Sequence, residues 1–172
     1  MLALKISRAK WQRKDYLAEN EIRADAITSL RTSDDRLSWW RCADDEEDVA
    51  QVALALAVGP KINRIDKFDI FVLPESILAE AGLASESTEG ETAVKDLRAR
   101  HVDLVKLDVE RLAKVARILD PRIRSGEKVV QFTKAQLITL VTTAIHDKRL
   151  DADDLNENLR NKLDKSTGGP GS

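Results

Sequence analysis

The sequence predicts an α/β (α+β) fold: a small mixed sheet with a βαβ crossover in the N-terminal half, and packed helices in the C-terminal half. Two observations carry this expectation. From Leu37 to Pro74 the chain reads strand (LSWWRC), acidic turn (ADDEED), apolar helix (VAQVALALAV), Gly59-Pro60 stop and strand (DIFVLP). That is the order of two parallel strands joined by a helix lying on the sheet. Later, Val102, Val105, Val109, Leu112, Ala116 and Leu119 recur at spacings of three and four, the period of a helix packed by one face.

Leu2 to Ile6 alternates weakly and is a candidate first strand, followed by a polar stretch anchored by Trp11, Tyr16, Leu17 and Ile22. Asp25 to Leu30 fits either a short helix or a strand. Thr32-Ser33-Asp34-Asp35 is a turn cluster, because such side chains satisfy nearby backbone groups. Trp39 and Trp40 are adjacent in a strand and therefore face opposite sides of the sheet. Asp44 or Asp45 caps the crossover helix, and the carboxylates of Asp44 to Asp48 complement the positive end of its dipole. A metal or cation site there is the lesser reading. Val49, Val52, Ala53, Leu54, Leu56 and Val58 leave that helix no polar face, which predicts burial on most sides. Gly59 closes it and Pro60 prevents its resumption. Pro74 opens a short helix to Ala81, capped by Gly82.

ASESTEGET, residues 84–92, is small and polar and reads as an exposed connector. Beyond it, one helix spans about 93–119, or two helices separated at Asp108, stopped by Asp120-Pro121. Val129 to Phe132 is a candidate short strand. Thr133 and Gln136 form a capping box for a helix from Lys134 to about Lys148. A last helix begins at Asp151 or Asp153. The expected organisation is one compact domain over 1–165, with 1–83 as the α/β half, 93–165 as the helical half, and 166–172 (STGGPGS) as a flexible tail.

Of 172 residues 42% are hydrophobic, enough for a core, but only 4% are aromatic, so the core rests on aliphatic side chains. Lys and Arg total 28 against 30 Asp and Glu, and such a balanced chain has no global field to hold nucleic acid or an anionic membrane. Cys42 is the sole cysteine, so no intrachain disulfide forms, and a small buried thiol is expected in its strand. No stretch is apolar enough for a membrane span or a signal peptide. The expectation is a soluble cytoplasmic protein with no membrane association.

No assembled chemistry is legible. Asp151 to Lys162 imitates a calcium loop but puts Leu155, Asn156 and Lys162 where a ligand, a glycine and a bidentate glutamate are required. His101, expected on a helical stripe with Val94, Leu97 and Leu104, reads as a packing residue. His146 falls in the last turn of its helix, where positive charge is favourable. These histidines and Cys42 are too scattered for a zinc site, no glycine pattern cradles phosphate, and no cofactor is expected.

Two surfaces stand out. Lys5, Arg8, Lys10, Arg13 and Lys14 precede any acidic residue and interleave with Trp11, making these six residues candidate nucleic-acid contacts of the single-strand kind. Leu155, Leu159 and Leu163 repeat every four residues among polar neighbours and are candidate partner contacts, or else an anchor on the protein's own core. The leading functional expectation is a non-catalytic protein-interaction subunit, of accessory, regulatory or immunity type, in a bacterial complex or a homo-oligomer. The alternatives are a nucleic-acid-associated accessory protein using the basic segment, and an enzyme with an unrecognised carboxylate or histidine site. A pocket holding His101 beside Asp or Glu would favour the last.

Overall fold

A computed structural model describes residues 1–12, 14–15, 17–18, 21–30 and 32–166, the final three without their side chains. Arg13, Tyr16 and the tail 167–172 lie outside the described residues. The elements are β1 (Leu2–Ile6), α1 (Arg8–Trp11), α2 (Ala24–Ser29), β2 (Leu37–Arg41), α3 (Glu46–Ala57), β3 (Phe68–Leu73), α4 (Glu75–Glu80), β4 (Ser85–Ser87), β5 (His101–Leu104), α5 (Val109–Ser125), β6 (Val129–Phe132), α6 (Lys134–His146) and α7 (Glu157–Ser166). Short 3₁₀ turns at Lys95–Arg100 and Ala152–Asp154 precede β5 and α7.

The six strands form one sheet in the order β4-β5-β2-β1-β3-β6, and every neighbouring pair is antiparallel. The α/β class holds, but no adjacent pair is parallel as a mixed sheet would require. The crossover β2-α3-β3 exists in split form. Both strands run antiparallel to β1, so they are parallel to each other with β1 inserted between them. Strands β5 and β6, from the second half of the chain, complete the sheet on either side, so the two halves share one set of hydrogen bonds.

Helices cover both faces. Ala3, Trp40, Ile70 and Val72 meet α3, α6 and α7 on one face; Leu2, Leu4, Trp39, Phe71, Leu73, Val102 and Leu104 meet α4, α5 and the α1–α2 region on the other. Trp39 and Trp40 thus divide between the faces as alternation demands. Burial on both sides explains why β3 is nearly continuous in apolar residues. Helix α3 is buried at Val49, Val52, Ala53, Leu54, Ala55 and Ala57, and Asp45 caps it by accepting from the Asp48 amide.

Several expectations are corrected. Residues 93–119 are neither one helix nor two, because β5 interrupts them and α5 starts only at Val109, capped by Asp108. Pro121 does not stop α5, which runs to Ser125 and ends on Gly126 at φ 79°. The connector 84–92 is exposed at 84–87, 89 and 91 but is not a plain loop. Ser85–Ser87 is an edge strand on β5, Gly90 and Thr92 are buried, and the Gly90 amide donates to the Arg98 carbonyl. Gly59 lacks a left-handed φ; a Cβ there would lie 3.3 Å from the Glu91 carbonyl oxygen, so its role is close packing. The capping box at Thr133 and Gln136 is present. No helix among the described residues is long and apolar enough to cross a membrane.

Candidate functional site

The face covered by α3 and α6 is bare at one end. Ser38 in β2 and Lys5 in β1 are exposed in mid-strand within a sheet that is otherwise largely buried. Three cavities adjoin there. A cavity of about 410 Å³ is lined by Asp34, Arg36, Ser38, Trp40, Thr88, Glu89, Glu91, His101 and Asp103. It shares Ser38 and Trp40 with one of about 290 Å³ that also holds Lys5, Lys10 and Leu56. That one shares Lys5 and Leu56 with a third, of about 210 Å³, lined by Lys61, Arg64, Asp66, Lys67 and Phe68. Together they make one groove running across β5, β2, β1 and β3.

Alternation in β5 builds the first end. Val102 and Leu104 enter the core beneath α5, which turns His101 and Asp103 to the groove face. Both are more than nine-tenths buried. Asp103 lies opposite Ser38 in register and accepts from its hydroxyl at 3.2 Å. Thr88, just past β4, donates to Asp103 Oδ2 at 3.0 Å while its Oγ1 lies 2.7 Å from His101 Nδ1. A hydroxyl has one proton. With that proton on Asp103, the Nδ1 proton of His101 goes to Thr88, and Nε2 is left as a bare acceptor. The nearest carboxylate oxygen to Nε2 is Asp103 Oδ1, at 3.9 Å and beyond hydrogen-bond reach. The Trp40 ring meets the imidazole edge-on at 5.1 Å.

The Ser33–Arg36 turn closes the rim. Asp34 and Asp35 occupy left-handed φ of 52° and 57°, which short polar side chains tolerate. The turn holds Arg36 3.3 Å from Glu86 and 3.7 Å from Asp103. Asp34, Glu89, Glu91 and Asp103 line this end, and three of them are paired: Asp103 with Arg36, Glu89 with Arg98 at 3.5 Å and Glu91 with Lys61 at 4.0 Å. The third cavity is lined by Lys5, Lys61, Arg64, Lys67 and Asp66; Arg64 pairs with Asp66, Lys61 reaches Glu91 of the first cavity, and the Lys5 ammonium lies 4.4 Å from the centre of the Phe68 ring.

Burial holds His101 below the usual histidine range, opposed by the charges of Asp103 and Glu91. The unfolded chain therefore takes up this proton at higher pH than the folded one, and stability falls as pH drops below the unfolded value of 6.5. Acidification from about pH 7 to about pH 5.5 should lower the urea midpoint of the wild type more than that of His101→Gln. Equal slopes would place His101 in solvent. Gly90 sits against the same rings: a Cβ there would lie 2.5 Å from Trp40 Cη2 and 2.9 Å from His101 Cβ. Gly90→Ala should cost about 1–3 kcal/mol and shift the tryptophan emission; an unchanged variant would show that the 88–91 loop does not close on Trp40.

The residues singled out from the sequence fall elsewhere or divide. Lys5 and Lys10 line the groove. Arg8 turns away, its backbone amide on Asp69 and its guanidinium beside Gly126 at the end of α5, where a cation is favourable. Lys14 is exposed outside the groove, and Trp11 is 1% exposed within the core, so Trp11 is not a stacking surface for these cations. Leu155, Leu159 and Leu163 are buried in the core beneath α3 and α6. The acidic run is occupied by internal contacts: Asp45 caps, Lys128 pairs with Asp44 at 2.7 Å, and the Arg100 hydrogen bond holds Asp48 below the usual carboxylate range. Burial pushes the Cys42 thiol up to about 11, which keeps it protonated. His146 is the last residue of α6. Among the described residues, no three His, Cys, Asp or Glu side chains converge as metal ligands. Ser38, Thr88 and Asp103 are the residues that sequence reasoning misses, although the alternation H-V-D-L carries the signal. No family model, curated protein or solved structure matches this chain.

Proposed function

We propose that this chain is a non-catalytic interaction protein, an accessory, regulatory or immunity-type subunit of a cytoplasmic bacterial complex, and that its docking element is the groove across the bare end of the sheet. The occupant is an extended segment of a partner protein. The observation that carries this reading is continuity: the three cavities share lining residues and cross four strands, the form of a track for a chain. The chemistry at the His101 end also favours binding over turnover. In a nucleophile–histidine–carboxylate site the carboxylate orients the imidazole and the imidazole faces the hydroxyl. Here Asp103 and His101 both address Thr88, and Asp103 lies outside hydrogen-bond reach of the ring.

Ser38 offers a clean test because it is exposed on the groove floor. Tagged wild type and Ser38→Arg should melt alike, and proteins retained by the wild type in cells of the native host should be lost from the variant. Identical retained sets at equal stability would remove the groove from the binding surface.

A further inference from the structure

The sheet has two edges, and they are built differently. At β4 the edge is blunted: the strand has three residues, and its central Glu86 is exposed and paired with Arg36. At β6 the edge strand is Val129–Phe132, with neither charge nor proline. One bond fixes which of its backbone groups face out. The Val72 amide donates to the Lys128 carbonyl, so in the β3–β6 register Lys128, Val130 and Phe132 address β3 while Val129 and Gln131 turn outward. The Val129 amide folds back onto the Gly126 carbonyl at 3.3 Å. The Val129 carbonyl and both backbone groups of Gln131 have no partner among the described residues. Val129 and Val130 are only half-buried, and Gln131 is exposed.

We propose that β6 pairs antiparallel with β6 of a second copy, joining two six-stranded sheets edge to edge. The occupant is a second copy because this edge complements itself in one register. With the two-fold axis at Val130, each Gln131 amide donates to the other copy's Val129 carbonyl, and the two Val130 side chains meet on the α6 side. The same register brings Glu127 of each copy to the Lys134 end of the other. Both side chains are exposed and without an ion-pair partner among the described residues. Other registers lose these matches. An axis at Gln131 sets Lys128 opposite the other copy's Lys134, and an axis at Val129 needs the amide already given to Gly126. The groove stops at β3 and does not use this edge.

A four-residue seam makes a small, weak interface, so sedimentation of the full chain is read between about 5 and 200 µM. The mass should rise from 19.2 kDa toward twice that value. Gln131→Pro removes the outward amide and spares every backbone bond to β3, a position where an edge strand accepts proline. It should melt like the wild type and keep the mass of one chain throughout. In a second measurement, Val130→Cys should form an inter-copy disulfide under mild oxidation about tenfold faster than Val109→Cys, because the paired Cα atoms lie about 4.5 Å apart. The native Cys42 is buried and does not compete. A wild type with the mass of one chain at every concentration overturns the pairing, and so does a Gln131→Pro variant that still dimerises. Should Gln131→Pro fail to fold, the cysteines decide, and equal oxidation of Val130→Cys and Val109→Cys overturns the pairing.

Discussion

Ala55→Asp should unfold the protein. Ala55 is 1% exposed in the last turn of α3, the helix that carries the crossover between β2 and β3, and it packs within the apolar cluster formed with α6 and α7. A carboxylate there has neither water nor a cation, and an unpaired buried charge is among the few substitutions that cost roughly 4 kcal/mol or more. Against a typical total stability of about 5–15 kcal/mol, that leaves little or nothing. Urea denaturation followed by circular dichroism reads the effect directly. A wild-type midpoint would mean that α3 has a solvent-facing side at Ala55, and the split crossover would be wrong.

Leu159→Glu should be nearly as damaging and decides what the last helix is for. Leu155, Leu159 and Leu163 are 7%, 1% and 5% exposed, so the four-residue stripe is an anchor on the protein's own core. Replacing the central leucine removes that anchor and buries a charge. The expected loss is about 3 kcal/mol, together with early proteolytic release of the C-terminal segment. Intact folding with lost association would instead make α7 the partner-binding element and leave the groove without its role.

The parts of the fold legible from sequence are those whose signal is local. Helix α3 has apolar residues on all sides and a carboxylate cap, and β3 is apolar on both faces, so the crossover can be read from Leu37 to Pro74 alone. The insertion of β1 between its two strands cannot, because strand pairing joins residues with no sequence signal of proximity. Strand β5 was hidden by coincidence. Val102, Val105 and Val109 fall at helical spacings, while the alternation His101-Val102-Asp103-Leu104 spans only four residues and is too short to outweigh them. Pro121 illustrates another limit, for packing of Val115, Ala116, Leu119 and Ile123 carries α5 through it. The groove was out of reach for the same nonlocal reason: Ser38 and Asp103, which bond across it, lie 65 positions apart. Conversely, Trp11 looked like a stacking surface because sequence cannot distinguish an exposed aromatic among cations from one whose ring is buried.

The docking of a partner segment in the groove is tested most directly by site-specific photocrosslinking in the native host. The crosslinking residue is placed at Lys67 or Glu91 on the two rims, and at Val109, which is 84% exposed at the start of α5 on the opposite face of the sheet. One and the same protein should be trapped from both rim positions and not from Val109. Capture from Val109 with none from the rims would contradict it.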